Sequence, residues 1–377
     1  MKAKILYVVD NLEFGGGERG FAQLARALKD RYQILFACHP GGPLGERLNQ
    51  IGVPIRSLDF HRPASFSRVI RLSAMIKEEK VHLVHSMGAR ADFSARIAAR
   101  LARAPAVVST IAMFVEGYDV PAVKRALYRA GDWLSERFCD RFIAVSDAVR
   151  TVLVEGHRIP EEKVVRIYNG VELEAFRPGS ENGFRLRQEL GLDPDAPVVG
   201  TVGRLVYQKA HDVFLQAASL VAQAVPSAQF LIVGEGPLRP RLERMAEELG
   251  LRTCRFAGFR ADIPEMLSIM DVFTLSSILE GLPRVLLEAL AMERAVVATS
   301  IDGVTEVAQH GVTGLLVPPG QPAPLADAII TLLKDQELAS RLGRAGRKLV
   351  EGRFALRRTV EEVDRLYGTL LREKGIR

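Results

Sequence analysis

Two basic side chains near the middle of the chain have the types and spacing of a phosphate-binding pair. Arg204 and Lys209 lie in the segment GRLVYQKA, at the end of an apolar run, 198–203, that is typical of a buried strand. A planar guanidinium and a compact ammonium suit a diphosphate, whose charged oxygens are spread over several ångströms. The alternative for these two residues, taken alone, is an ordinary solvated loop.

Two carboxylates lie in a second segment, SSILEGLPRVLLEALA at 276–291. Glu280 is in a turn that contains Gly281 and Pro283, and Glu288 follows within an apolar helical pattern. Because carboxylates accept hydrogen bonds from paired hydroxyls, two acids at this spacing suit two different sugars, one on each side of a bound diphosphate. The alternative for Glu288 is a structural role on a helix surface, which its apolar neighbours disfavour.

Two helix starts offer further anion-binding groups. A helix that begins near Pro283 would point the N–H groups of Arg284 and Val285 at an anion, since proline suits the first helical position. The loop FGGGER at 14–19 opens the first helix of the chain, and its glycines let the backbone approach a ligand closely. By itself, this loop is equally well explained as a tight turn between a strand and a helix.

Alternating strands and helices must position these groups. Short runs rich in Val, Ile and Leu alternate with helical patterns, which is typical of parallel sheets built from strand–helix–strand units. In the first half we predict strands at 4–9, 32–38, 81–85, 106–111, 141–145 and 164–168. In the second half we predict strands at 198–203, 229–234, 255–258, 272–275, 295–299 and 315–317. The sequence therefore predicts an α/β protein of two similar domains, with ligands bound in a cleft at the carboxyl ends of the strands.

A stretch rich in glycine and proline, 177–197, separates the two alternations. We place the first domain at 1–178 and the second at 179–353. The stretch contains Asp193-Pro194-Asp195, whose D-x-D spacing occurs in metal-dependent transferases. Its position in a linker is better explained by turn and helix-cap chemistry, so we predict no metal site.

Composition and charge restrict the class of protein. Of the 377 residues, 48% are hydrophobic and 25% charged, which is typical of a folded soluble protein. No apolar run approaches the ~20 residues of a membrane span and no targeting segment is apparent, so we expect a cytoplasmic protein. Residues 1–178 carry 27 basic and 20 acidic groups, whereas the remainder carries 24 and 25. A basic first half suits nucleic acid, anionic lipid or a phosphorylated substrate, and charge alone does not choose among them.

Two basic helical patterns in the first half offer a surface for an acceptor. In DFSARIAARLARA, one face carries Arg96, Arg100 and Arg103. In VKRALYRAGDWLSERF, the pattern predicts an apolar face of Val123, Leu127, Ala130, Leu134 and Phe138, with Lys124, Arg125 and Arg129 elsewhere. Basic amphipathic helices suit anionic membrane surfaces. The interpretation that we favour is simpler: both helices pack their apolar faces on the sheet and leave their charges in solvent.

Seven motifs, in order along the chain, make it similar to a known family. They are GGGER after the first strand, IAVSDAV at 143–149, IYNGVE at 167–172, GRLVYQK at 203–209, VGEGP at 233–237, EGLPRVLLEA at 280–289 and GVTGLLVPPG at 311–320. With these motifs the chain resembles, over nearly its whole length, the retaining glycosyltransferases of the GT-B type in the large group 1 class. The resemblance implies two Rossmann-like domains, with a final helix within 354–377 that packs back on the first.

The resemblance also implies roles for the candidate residues, beginning with those around the diphosphate of a nucleotide-sugar donor. Gly16 and Gly17 would approach the diphosphate or the sugar from the first domain. Arg204 and Lys209 would hold the diphosphate from the second.

The remaining implied roles concern the sugar, the ribose and the base of the donor. Glu280 would bind hydroxyls of the donor sugar, and Glu288 would bind the ribose hydroxyls. The backbone N–H groups of Arg284 and Val285 would meet the distal phosphate. The base would lie near 260–263, held through backbone groups.

The resemblance implies transfer of a sugar from a nucleotide-diphosphate sugar, with retention of anomeric configuration. The donor that we expect is a UDP-sugar. The acceptor would be a glycan or a lipid-linked sugar of surface polysaccharide synthesis. A leaving-group oxygen can deprotonate the acceptor, so Arg204, Lys209 and Glu280 would support catalysis without a cofactor, a metal or a protein base. We expect no nucleic-acid partner, and we expect peripheral contact of the first domain with the inner face of a membrane.

One position departs from the family pattern. Many relatives have a histidine just after the strand at 106–111, where this chain has Ala112. His85, in the preceding strand, could replace it, although a histidine satisfied by structural hydrogen bonds is the favoured interpretation. Ala112 therefore leaves open a non-catalytic nucleotide-sugar-binding protein. A nucleotide-sugar epimerase, an enzyme of related fold, is a second alternative to a transferase. A dehydrogenase that uses NAD is disfavoured, because Cys38, His39 and Pro40 stand where an acidic ribose-binding residue would end the second strand.

Overall fold

The computed structural model of the protein describes residues 2–10, 15–60, 66–113, 121–179 and 183–376. They form two compact units, Met1–Asn169 with Arg357–Arg377, and Gly170–Leu356. Residues 170–178, which we placed in the first domain, thus belong to the second unit. The N–H of Val171 donates to the carbonyl of Phe354 at 2.9 Å, and its own carbonyl accepts from Leu356 at 2.8 Å, which ties this segment to the end of the second unit.

The strands and helices alternate along the chain. Up to residue 169 they are β1 (Lys4–Val9), α1 (Gly16–Leu28), β2 (Gln33–Cys38), α2 (Gly42–Gln50), β3 (Ile55–Ser57), α3 (Phe66–Glu78), β4 (Leu83–Met87), α4 (Ala89–Ala102), β5 (Ala106–Ile111), α5 (Ala122–Glu136), β6 (Arg141–Ala144), α6 (Asp147–Thr151) and β7 (Val164–Arg166). Beyond it they are α7 (Gly183–Glu189), β8 (Val198–Val202), α8 (His211–Ala224), β9 (Gln229–Val233), α9 (Arg239–Glu248), β10 (Cys254–Gly258), α10 (Ile263–Ser268), β11 (Val272–Leu275), α11 (Arg284–Ala291), β12 (Ala295–Thr299), α12 (Asp302–Thr305), β13 (Leu315–Val317), α13 (Pro322–Lys334), α14 (Gln336–Arg353) and α15 (Leu356–Glu373).

Each unit is a doubly wound parallel sheet covered by helices. The strand order is β3-β2-β1-β4-β5-β6-β7 in the first unit and β10-β9-β8-β11-β12-β13 in the second. In both sheets the winding reverses direction once, between β1 and β4 and between β8 and β11. A crevice forms at such a reversal, outside the carboxyl ends of the two strands, and ligands of open α/β sheets bind there.

Buried apolar faces hold the helices on the sheets. In α1 the buried residues Phe21, Leu24, Ala25 and Leu28 follow the helical repeat. The last helix, α15, adds Val363, Leu366, Tyr367, Leu370 and Leu371 to the same core, so it is part of the first unit. The second unit has its own core, in which strands β8, β9, β11 and β12 are buried along their whole length.

Every predicted strand is found, with ends that differ by at most two residues. The structure adds β3, a three-residue edge strand with the sequence IRS, which is partly exposed. So short and polar a strand has no apolar pattern that sequence inspection could detect.

Candidate functional site

The candidate site lies at the reversal point of the second sheet. Lys209 ends a short 3₁₀ turn, Tyr207–Lys209, in the loop after β8, and Glu280 lies in the loop after β11. Because β8 and β11 are neighbours and their loops leave the same edge of a parallel sheet, the fold brings together two side chains that are distant in sequence.

The two side chains form an ion pair. Nζ of Lys209 lies 2.5 Å from Oε1 of Glu280, and the side chains are only 15% and 5% exposed. Oγ of Ser277 donates a second hydrogen bond to the same carboxylate oxygen at 2.7 Å. In the described part of the chain, Oε2 of Glu280 and two of the three N–H donors of Lys209 have no partner. The pair therefore offers a ligand one acceptor and two charged donors whose positions are already fixed.

Hydrogen bonds lock the two loops to each other. Oγ of Ser276 donates to the carbonyls of Lys209 and Ala210, both at 2.9 Å. The N–H of Ile278 donates to the carbonyl of Gln208 at 2.9 Å. The backbone around Lys209 is thus positioned by the chain after β11.

The loop that carries Arg204 is positioned by the VGEGP motif. Leu205 donates its N–H to the carbonyl of Glu235 at 2.8 Å. The two backbones are so close that a Cβ atom on Gly234 would lie 1.9 Å from the carbonyl oxygen of Gly203. Only glycine fits at 234. Arg204, in the loop so positioned, is exposed.

Helix α11 begins one residue later than the sequence predicts. Pro283 is the N-cap residue, with an extended backbone (φ −71°, ψ 105°), rather than the first helical residue. The first helical N–H groups are those of Arg284 and Val285, as expected. Leu286 makes the first backbone hydrogen bond of the helix, to the carbonyl of Pro283 at 3.1 Å.

Glu288 lies one turn further along α11 and is only 2% exposed. A surface role for this carboxylate is therefore excluded.

Gly303, in α12, packs closely against the loop that precedes α11. A Cβ atom on Gly303 would lie 2.4 Å from the carbonyl oxygen of Gly281 and 2.7 Å from that of Glu280. The position of Glu280 thus depends on the absence of a side chain at Gly303.

In the first unit, Gly16 and Gly17 are the first two residues of α1, after Gly15 as the N-cap. The carboxylate of Glu18 accepts a hydrogen bond from the N–H of Gly15 at 2.8 Å, so the helix start already holds one anionic group. A Cβ atom on Gly17 would lie 2.8 Å from Cε of Met87, and this gives Gly17 a packing role. Residues 11–14, which include the first residue of this loop, Phe14, lie outside the described residues.

His85 is a structural residue. Its ring is fully buried, with Nδ1 hydrogen-bonded to Oη of Tyr367 and Nε2 to Oγ1 of Thr110 at 2.7 Å. Burial lowers the pKa of His85 to about 3, so the ring is neutral. Because its ring is buried and both nitrogens are engaged, His85 is not available to a ligand, so it does not take the place of a histidine after β5, where this chain has Ala112.

Sequence reasoning did not assign Ser276, Ser277 or His211 to this region. The only signal for the serines was their place in the same turn as Glu280, with Ser277 three residues before it. His211 opens α8 and is 3% exposed, and no partner of Nδ1 is found among the described residues. Burial, together with the nearby charge of Lys209, lowers the pKa of His211 to about 3.

The segment 260–263, where we expected the base of the nucleotide to bind, contains an ion pair between Arg260 and Asp262. Nε of Arg260 donates to Oδ1 of Asp262 at 2.8 Å, and Asp262 is the N-cap of α10.

The Asp193-Pro194-Asp195 segment of the linker forms a turn closed by a side chain. The N–H of Asp195 donates to Oδ1 of Asp193 at 3.0 Å. The described residues contain no group of three or more His, Cys, Asp or Glu side chains that could hold a metal ion.

Two Rossmann-like units, each built on a parallel sheet, fit the architecture of a GT-B glycosyltransferase. Comparison with known families gives two matches, Glycosyl transferases group 1 over residues 184–349 and Glycosyltransferase Family 4 over residues 14–175. The chain is 31% identical to the putative glycosyltransferase EpsD of Bacillus subtilis over 329 residues, which are 85% of each chain. It belongs to the group 1 glycosyltransferases, and the expected fold class is confirmed.

Two further proteins are similar over nearly the whole chain. One is the UDP-Gal:alpha-D-GlcNAc-diphosphoundecaprenol alpha-1,3-galactosyltransferase of Escherichia coli, 27% identical over 90% of this chain and 89% of the relative. The other is Anabaena HepE, solved in complex with UDP-glucose, which matches with a TM-score of 0.86 at 25% identity over 97% of this chain and 99% of that one. No helix in the described ranges combines the length and the apolar character needed to cross a bilayer.

Proposed function

We propose that this glycosyltransferase moves a sugar from a UDP-sugar to a glycan or lipid-linked acceptor, with retention of configuration and without a metal ion, in surface polysaccharide synthesis. The observation that carries the proposal is the Lys209–Glu280 pair at the carboxyl edge of β8 and β11. It presents a fixed cation for a diphosphate beside a carboxylate oxygen for sugar hydroxyls. The acceptor would be reached by peripheral contact of the first unit with a membrane.

The mechanism follows from the charges that develop as the glycosidic bond breaks. Negative charge grows on the departing diphosphate, and positive charge grows on the sugar ring. The ammonium of Lys209 and the guanidinium of Arg204 stabilise the diphosphate, with the N–H groups of Arg284 and Val285 aimed at the distal phosphate. The carboxylate of Glu280 orients the sugar, while Glu288 takes the ribose hydroxyls. An oxygen of the leaving diphosphate accepts the proton of the acceptor hydroxyl on the same face, so no protein base is needed.

The names of the similar proteins support the choice of substrates. Anabaena HepE was solved with UDP-glucose. The relative from Escherichia coli is named for transfer from UDP-Gal to a diphosphoundecaprenol-linked sugar, with an alpha-1,3 product. An alpha product formed from an alpha-linked nucleotide sugar is formed with retention.

The test is release of nucleotide from a panel of UDP-, GDP-, ADP- and dTDP-sugars, with and without a membrane extract as the source of acceptor. We expect release of UDP, with the sugar recovered on a lipid-soluble product. Lys209→Met and Glu280→Gln should each lower the rate roughly 100-fold or more, since each removes a charge from the reacting centre. Lys334→Met and Glu337→Gln, which change exposed residues of the same types, are the matched controls. Wild-type rates in the first two variants would refute the assignment.

A second function is favoured by one observation, the alanine at position 112. A chain that binds a nucleotide sugar without transferring it would be a sensor. A separate alternative, which does not depend on Ala112, is an epimerase of related fold that would isomerise the donor in the absence of acceptor. A thermal shift with one UDP-sugar, without release of UDP under any acceptor condition, would favour the sensor. Conversion of free donor to a second sugar would favour the epimerase.

A further inference from the structure

Helix α5 carries its large apolar side chains on the outside of the first unit. Val123, Leu127 and Trp133 are 75%, 68% and 73% exposed, and Leu134 is 42% exposed. These residues fall on one face of the helix, and Ser135 is the only buried residue that it contributes. The packing that we expected from the sequence, with this apolar face on the sheet, is therefore wrong.

The polar side chains of α5 point inward instead. Oδ1 of Asp132 and Oγ of Ser135 each accept a hydrogen bond from Nη1 of Arg96 at 3.4 Å. Oε1 of Glu136 is hydrogen-bonded to Nδ1 of His157 at 2.7 Å. The side chains of the two acids are only 16% and 10% exposed.

Arg96 explains why the helix packs this way round. We expected this arginine on a solvated face of α4, but it is 1% exposed. Its Nε donates to Oγ of Ser109 at 2.9 Å, and its guanidinium lies 5.3 Å from the ring centroid of Phe142. A buried guanidinium needs carboxylate partners, and Asp132 is one of them. The polar face of α5 is therefore held against α4, which leaves the apolar face outside.

Within the described residues 121–137, which comprise α5 and its two caps, every exposed charge is positive. Lys124 and Arg129 are the exposed charged residues of α5, and Arg137 follows at its C-cap. Two copies of such a face would bring the exposed cations Lys124, Arg129 and Arg137 towards one another, which disfavours pairing of two copies through it. An anionic lipid surface attracts the cations and takes up the apolar side chains at the same time. The helix also starts from the carboxyl edge of the sheet, after β5, where the loops of an α/β unit meet ligands.

We propose that the outer face of α5, formed by Val123, Leu127, Trp133 and Leu134 with Lys124, Arg129 and Arg137, docks on an anionic lipid bilayer. The proposal gives the membrane contact of the proposed function a defined surface. The biological purpose of docking rests on the proposed function. The docking itself is inferred from the geometry of α5, whether or not the chain transfers sugar.

The chain provides its own probe, because Trp133 is its single tryptophan and lies on the proposed face. Full-length protein would be titrated with vesicles of phosphatidylglycerol and phosphatidylcholine, and with vesicles of phosphatidylcholine alone. We expect a blue shift of the emission, and quenching by brominated lipid, with the anionic vesicles only.

Two double variants test the apolar and the charged part of the face separately. Val123→Ser with Leu127→Ser, and Lys124→Glu with Arg129→Glu, should each lower the affinity for anionic vesicles about tenfold or more, since one cation near such a surface is worth roughly fivefold. Leu220→Ser with Val312→Ser is the matched control, because these residues are 38% and 51% exposed in the second unit. All the altered residues of the face are exposed, and unchanged thermal unfolding of the variants would establish that they fold.

Three outcomes would overturn the proposal. Trp133 emission that is the same with and without anionic vesicles would show that the face does not enter lipid. A blue shift that grows with protein concentration in the absence of lipid would show that a second copy covers it. Vesicle binding that survives in both double variants would place the contact elsewhere. Nucleotide release measured on the same samples separates these results from a failure of the transferase assignment.

Discussion

Lys209 and Glu280 are 71 positions apart in the chain, yet their side chains meet at 2.5 Å. The contact arises because their loops follow β8 and β11, the two strands between which the winding of the second sheet reverses. Ser276 and Ser277 complete it, one by holding the loop of Lys209 and the other by donating to Glu280. The cation of the site is thus oriented before any ligand arrives, and such preorganisation is what stabilises charge in a transition state.

The first prediction concerns the stability of this pair. Lys209→Met leaves the buried carboxylate of Glu280 without its counter-charge and should destabilise the second unit by about 2–3 kcal/mol, less than the ~3–5 of a fully buried pair. The double variant Lys209→Met, Glu280→Gln should recover most of that loss, because no unpaired charge is left. Thermal unfolding of the three proteins is the measurement. A double variant as unstable as the single one would show that charge is not the cause.

The second prediction concerns Gly303. Gly303→Ala would put a Cβ atom 2.4 Å from the carbonyl oxygen of Gly281, so the loop that carries Glu280 must shift. We expect a loss of activity of roughly 100-fold, since misplacement of a catalytic group by about 1 Å has such an effect. Gly352→Ala is the control, because a Cβ atom there meets nothing within 4 Å. Equal kinetics for the two variants would contradict the positioning role of Gly303.

The third prediction concerns the backbone at Ala210. This residue has φ 46° and ψ 48°, the left-handed region that favours glycine. Ala210→Gly removes about 1–2 kcal/mol of strain and adds roughly 0.5–1 kcal/mol of unfolded-state entropy, so the midpoint of thermal unfolding should rise slightly. Ala222→Gly, inside α8, should lower it instead. A fall in the midpoint for Ala210→Gly would mean that the strain is offset by contacts of the methyl group.

The fourth prediction concerns acid stability. The pKa of His85 is lowered by burial to about 3, below the ~6.5 of an unfolded chain, so between these values the unfolded state binds one more proton. The contribution of His85 to the free energy of unfolding therefore has its full value above pH ~6.5. It falls by about 1.4 kcal/mol per pH unit as the pH is lowered towards 3. His85→Gln should reduce the pH dependence of the free energy of unfolding by that slope. An unchanged slope in denaturant titrations from pH 7 to about 4 would refute it.

Much of the fold could be predicted because strands and helices are local patterns. The apolar runs of β8 and β11 mark buried strands whatever surrounds them, and the spacing in α1 marks a helix with one buried face. The residue types of the candidate site could also be identified, since a lysine and an arginine follow one strand and a glutamate follows another; that they bind a sugar diphosphate stays a prediction. Pro283 was misplaced by one residue because proline is compatible with both the N-cap and the first helical position.

What the sequence alone determined is therefore the class of the fold, the order of its elements and the residue types of the candidate site. Only the tertiary structure decided that Lys209 pairs with Glu280 and that α5 turns its apolar face outward. It also decided that both ring nitrogens of His85 are hydrogen-bonded, to Tyr367 and Thr110. The physical reason is common to all three. Periodicity shows which side chains share a face, but the orientation of that face depends on partners distant in sequence, and for α5 the buried charge of Arg96 outweighs the apolar pattern.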